Sequence, residues 1–335
     1  MSDLPPSQFL GVTDVQGALR LVHTGLIRVR GADAGAFLHG QLTNDFALLG
    51  LSEARLAAYC SAKGRMLASF VAFKRAHDEL WLVCRADVLA PTLKRLRMFV
   101  LRAKAQLDDA GADGLVVLGL VGAAAAAWVE RALAQAPEAG AMPPWSHRRA
   151  GTDASLVRLP DAAGQPRWLW AGAAAAAEDV LAALPALPAT HWDWLEVRSG
   201  IAPVQAATAE AFVPQMLNYE LVGGVNFQKG CYPGQEVVAR SQYRGTLKRR
   251  TQLLHGEAPM QAGAEVFWSG DAGQPSGLVA LAAPAPDGGH DALVEIKLAA
   301  LEGGSLHLGA PDGPRLAVGA LPYTVPPAAR EASPA

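Results

Sequence analysis

The chain has 335 residues, 51% of them hydrophobic and 18% charged, with a net charge of −2. That length accommodates two or three domains around sizeable cores, and that composition excludes a disordered chain. The near-neutral balance selects no partner, yet the charge is uneven: residues 61–104 hold ten Lys/Arg against three Asp/Glu.

Three separated cysteines, Cys60, Cys84 and Cys231, make no disulfide framework and fit a reducing compartment. The chain contains no C-x-x-C or H-x-x-x-H pair, which argues against a self-contained zinc or four-cysteine cluster site. The first 14 residues lack the basic and apolar regions of a leader, and the longest uncharged apolar stretch, 114–129, is short of a membrane span. A soluble, cytoplasmic protein is expected.

In chain order, residues 17–110 read as an α+β unit. Leu21–Val29 is a strand candidate, and Asp33 can cap a helix containing Ala36–Leu38. Strands 57–60 and 66–73 flank a Lys63–Gly64 hairpin, and Leu80–Cys84 is a further strand. Asp87 opens an amphipathic helix to about Arg102, with Leu89, Leu93, Leu96 and Val100 on its apolar side. Residues 111–244 form a second unit with two strand-plus-alanine-helix blocks, 115–136 and 167–184, separated by a Pro-rich loop at 137–151. A helix over 192–198 ends at Gly200, a natural cap. Short strands at 251–254, 264–268, 277–281, 293–296 and 306–308 then suggest a small antiparallel barrel over 245–325. Residues 326–335 have no core pattern and read as a disordered tail.

The most informative stretch is Lys229-Gly-Cys-Tyr-Pro-Gly-Gln-Glu236. Pro233–Gly234 makes a turn, and residues 235–240 have helical character, with Glu236 and Arg240 four apart. Cys231 would sit near a helix N-terminus beside Lys229, and both features favour thiolate. The plainer alternative is a small buried cysteine in a tight turn. Arg240, Arg244, Lys248, Arg249 and Arg250 add five cations in eleven residues. Such a run is either a solvated face or, with the basic 61–104 segment, a surface for RNA phosphates or polyglutamate.

The run K-G-C-Y-P-G-Q-E-V-V-A-R resembles the signature of the YgfZ family, folate-binding relatives of the glycine-cleavage T-protein (aminomethyltransferase). Gly40-Gln-Leu-Thr-Asn-Asp45, Ala62-Lys-Gly-Arg65, Phe212-Val-Pro-Gln215 and Leu321-Pro-Tyr323 resemble other segments of that family. The resemblance implies an α+β fold of two intertwined domains plus a C-terminal β-barrel, with folate in a central channel. It implies a pterin wall at Trp192, which Trp194 can extend, and further folate-site candidates in Asn44, Asp45, Lys63, Arg65 and Gln215. Each has a plainer reading: helix packing for the tryptophans, turn chemistry for Asn44 and Asp45, a solvated hairpin tip for Lys63 and Arg65. The family's other folate-contacting tryptophan is missing, with Leu26 in the nearest place. Cys84–Arg85 stand where aminomethyltransferases carry Asn-Ala, which puts aminomethyl transfer in doubt.

The reading that follows is a tetrahydrofolate-binding accessory protein for iron–sulfur cluster assembly or maintenance, serving among others the enzymes that thiomethylate tRNA. Its working thiol is Cys231, a transient cluster ligand, with Lys229, Tyr232, Gln235, Glu236 and Arg240 shaping its loop. Partners would be folate and iron–sulfur proteins, with tRNA a further candidate. The alternatives are a folate-dependent one-carbon transferase or demethylase and, third, a cysteine-nucleophile enzyme, although no histidine lies near Cys231 in sequence.

Overall fold

The computed structural model describes residues 15–134, 141–243 and 247–326. The chain begins with β1 (Gly17–Arg20), β2 (Thr24–Arg30), α1 (Ala34–His39), β3 (Ala54–Cys60), β4 (Met66–Ala76), β5 (Glu79–Arg85), α2 (Ala86–Met98) and β6 (Gln106–Asp109). It continues through β7 (Leu115–Val121), α3 (Gly122–Leu133), β8 (His147–Ala150), β9 (Ala154–Ala162), β10 (Gln165–Ala173), α4 (Ala174–Ala182), α5 (Ala189–Arg198) and α6 (Gln235–Tyr243). The last strands are β11 (Arg249–Gly256), β12 (Glu265–Trp268), β13 (Gly277–Pro284), β14 (His290–Lys297), β15 (Leu306–Leu308) and β16 (Arg315–Val318).

These strands make two five-stranded sheets, ordered β3-β4-β5-β2-β6 and β1-β7-β10-β9-β8, and a closed barrel, β11-β14-β13-β12-β15-β16. The expected α+β architecture with a C-terminal antiparallel barrel is present. β1 leaves its sequence neighbours to pair with β7, in the register Gly17↔Val121, so the start of the chain is woven into the second sheet.

Alternation along each strand decides what lies on each face. On β3, Leu56 and Ala58 point to the interior shared with the second sheet and the barrel, while Ala57 and Tyr59 point outward beneath α1 and α2. On β5, Trp81 and Val83 face in and Leu80 and Leu82 face the helices. Both faces are buried, each large apolar side chain contributing ~1.5–3 kcal/mol.

Several elements differ from expectation. The strand proposed at 21–29 begins only at Thr24, because residues 22 and 23 turn the chain between β1 and β2. Asp33 stands at the N-cap of α1 but does not cap it; its carboxylate accepts from the Lys104 N–H instead, at 2.7 Å. α2 stops at Met98, short of Arg102, where the buried stripe ends with Leu96. The 137–151 stretch is not all loop. Its described part contains β8, held by β9 and by the His147 N–H bond to Ser52 O. The expected tail beyond 326 and Arg244 lie outside the described residues.

Candidate functional site

Cys231 is the exposed cysteine of the three; Cys60 and Cys84 are buried, and burial pushes both their thiols up to about 12. The loop carrying Cys231 is fastened on each side. Before it, the Lys229 ammonium donates to the carbonyls of His39 and Leu42 at the end of α1, and sits 4.7 Å from the centre of the Tyr232 ring. Burial lowers the Lys229 pKa to about 8, against the raising effect of Asp45 and of Cys231 itself. After the loop, Gln215, itself fully buried, donates from Nε2 to Val238 O of α6 at 2.7 Å.

Two glycines interlock the Ala62–Arg65 turn with this loop. Gly234 has φ +79°, and a Cβ there would stand 2.4 Å from Ser61 O. Gly64 has φ +72°, and a Cβ there would meet Val237 at 2.9 Å. Only glycine permits this approach in that backbone region. Arg65 donates to Ala211 O, and Lys63 is exposed at the turn tip.

Asn44 and Asp45 lie on the same side. Asn44 donates to Leu56 O and Gly223 O at 2.8 and 2.7 Å, which ties the loop after α1 to the segment leading into the cysteine motif. Asp45 accepts from the Leu48 N–H at 2.9 Å and lies 3.1 Å from His39 Nδ1. Burial pushes its carboxyl up, but the Leu48 N–H and His39 outweigh this and hold it below the usual range. His39 was not singled out from sequence. Its Nε2 lies 3.3 Å from where a Cβ on Gly230 would stand, so the imidazole covers the residue before Cys231. The available signal was its position directly before Gly40-Gln-Leu-Thr-Asn-Asp45. Glu236 and Arg240 are both exposed, and no ion pair joins them. Gln235 is the first residue of α6.

A second feature is a cavity of about 90 Å³ in the interior, lined by Leu56, Trp145, Trp192, Ile201 and Tyr219 among others. Its polar groups include Ser69, Arg85, Arg167 and Glu196. Arg85 and Glu196 pair across it at 2.7 Å. Trp192 is 1% exposed, its ring pressed on Gly119, and its Nε1 is buried without an acceptor. Of the folate-site candidates, Trp192 lines this cavity; Asn44, Asp45, Lys63, Arg65 and Gln215 gather instead around the Cys231 loop. Trp194 does not extend the wall: its indole N–H donates to Asp291 of β14, at 2.8 Å. Beside the cavity His23, Asp193 and Glu196 bring potential metal-ligand atoms within 4.8 Å of one another. Arg85 already supplies a cation to Glu196 there.

The fold and the site together define the class: a T-protein-like scaffold carrying an exposed cysteine in a glycine-locked loop. The aminomethyltransferase T of the glycine cleavage system from Bartonella henselae superposes with a TM-score of 0.74, over 93% of this chain and 87% of that one, at 21% identity. No family model matches the chain. Among curated relatives, "tRNA-modifying protein YgfZ" of Photobacterium profundum is 34% identical over 242 residues, covering 70% of this chain and 68% of that protein. The protein of the same name from Klebsiella pneumoniae is 31% identical over 310 residues, 90% of each chain. The chain belongs to the YgfZ family.

Proposed function

We propose that this protein binds tetrahydrofolate in the central cavity and supports iron–sulfur enzymes, including those that thiomethylate tRNA, through Cys231. The observation that carries the reading is the build of the thiol loop: one exposed cysteine, anchored through Lys229, Gln215 and Gly234, beside two cysteines that burial keeps protonated. A thiol placed for packing needs no such framework, whereas a transient ligand to iron needs an accessible sulfur at a fixed place. One cysteine cannot hold a cluster, so the remaining ligands come from a partner or a small thiol. The relatives' names support the link to tRNA.

The cavity supports the folate part. Its aromatic and aliphatic walls suit a flat ring, and the Trp192 N–H, Arg85, Arg167 and Glu196 offer hydrogen-bonding groups. Its volume of about 90 Å³ is below the ~300 Å³ at which small-molecule sites begin. Ligand entry therefore requires the cavity to widen. Tetrahydrofolate binding, followed by tryptophan fluorescence, is expected to be lost in Trp192→Ala and kept in Cys231→Ala. In a strain lacking the protein, Cys231→Ser is expected to fail to restore a tRNA-thiomethylating enzyme. Full restoration would falsify the role given to the thiol.

A further inference from the structure

Residues 94–104 contain Lys94, Arg95, Arg97, Arg102 and Lys104 and no acid. They form the last turns of α2 and the segment that follows, and all five cations are exposed. Between them Met98, Phe99 and Leu101 are exposed at 60%, 42% and 84%. Arg97 is engaged by Leu107 O and approaches Asp108, and Arg95 lies by the Tyr59 hydroxyl. Lys94, Arg102 and Lys104 have no side-chain partner among the described residues.

The helix bearing this patch neighbours the helix whose end anchors the cysteine loop. α1 and α2 cover the same face of one sheet, where Phe37 and Leu38 share a buried cluster with Leu93 and Leu96. Beneath these helices the buried Tyr59 links Arg95 to Leu42, whose carbonyl takes the Lys229 ammonium. Lys63, on the turn locked against Gly234, and Arg240, on α6, add two exposed cations near Cys231, with Glu236 the exposed acid among them.

We infer that this face is a docking surface for a structured RNA. The cations at 94–104 hold its phosphates and Phe99 stacks on an unpaired base, on the side of the sheet where the end of α1 anchors the Cys231 loop. Cations interleaved with an exposed aromatic ring match the backbone and the splayed bases of folded RNA. An acidic protein would use the charges and leave the ring unexplained. The inference rests on the tRNA side of the function proposed above.

The test is fluorescence anisotropy of labelled tRNA titrated with the full chain across roughly 50–200 mM salt. The variants are the triple Lys94→Ala/Arg102→Ala/Lys104→Ala, Phe99→Ala, and Arg315→Ala on the barrel as a control. A urea midpoint equal to that of the wild type certifies each fold. The triple variant is expected to bind at least tenfold more weakly, with a salt slope shallower by about 2–3, since each lost phosphate contact removes about 0.9. Phe99→Ala is expected to weaken tRNA several-fold while leaving binding of duplex DNA unchanged. Wild-type affinity in the triple variant, or an equal loss in Arg315→Ala, overturns the surface. So does the absence of tRNA binding by the wild type, and that result leaves the Cys231 reading to be judged by Cys231→Ser in the deletion strain.

Discussion

At the scale of single residues, the cysteine loop depends on Gly234 more than on any polar contact. Its positive φ and the 2.4 Å approach to Ser61 O leave no room for a side chain. Gly234→Ala is expected to cost ~1–3 kcal/mol and to open the loop. Urea unfolding would read the first effect, and faster trypsin cleavage after Lys229 or Arg240 the second. Gly223→Ala is the control, because a Cβ there meets nothing within 4 Å although its φ is also positive. If both variants behave alike, backbone strain and not the lock on the turn is responsible. The motif, its turn and its thiol were legible in sequence because they are contiguous. His39 was not, because its relation to Gly230 arises only when the end of α1 is folded against a loop 190 residues away. The folate candidates were split for a similar reason. Asn44 and Gln215 carry polar groups that bind backbone within the fold, and sequence cannot tell an internal hydrogen bond from one awaiting a ligand.

At the scale of elements, β8 shows what propensity misses. His147-Arg-Arg-Ala150 has no apolar alternation, and it follows a Pro-rich stretch that reads as loop. It is a strand because its partners exist: β9 on one side and the chain at Ser52 and Glu53 on the other. His147 fixes the joint. It is 1% exposed, its Nδ1 lies 2.6 Å from Leu51 O and its Nε2 3.1 Å from Ser155 Oγ, and it stacks on Phe73. Burial depresses its pKa from 6.5 to about 4, against the hydrogen bond to Leu51. A histidine depressed in the fold is neutral there while the unfolded chain already takes a proton. Its contribution is therefore fully present above pH 6.5 and is lost as pH falls through about 4. The full swing is about 3 kcal/mol, from ~1.4 kcal/mol per unit. Stability of the wild type is expected to fall over this window, and His147→Gln to flatten that part of the curve. Urea midpoints measured between pH 7 and 4 would decide, and an unchanged slope in the variant would remove His147 as the source.

At the scale of the molecule, barrel and sheets are joined by polar groups as well as by the apolar interior. The barrel itself was legible from its short, Gly-broken strands. The way it docks was not, because the contact pairs residues about 100 positions apart. Asp291 on β14 is 2% exposed and accepts from the Trp194 N–H at 2.8 Å; Arg198 Nη1 lies 3.5 Å from the same carboxylate. His255 of β11 lies 2.8 Å from its other oxygen. Trp194 and Arg198 belong to α5, the helix whose Trp192 walls the cavity, so the joint and the proposed ligand site share one element. Asp291→Ala leaves a buried indole N–H and a guanidinium without their acceptor, a loss on the order of 3–5 kcal/mol. Asp291→Asn retains an acceptor for Trp194 and removes only the charge, so an intermediate loss is expected. If the joint positions α5, tetrahydrofolate affinity falls in the same order as the urea midpoint: wild type, Asp291→Asn, Asp291→Ala. Exposed Glu302→Ala on the barrel sets the baseline. Affinity that stays level while stability falls would mean that α5 is held in place by its apolar side alone, through Leu195 and Val197 in the shared core.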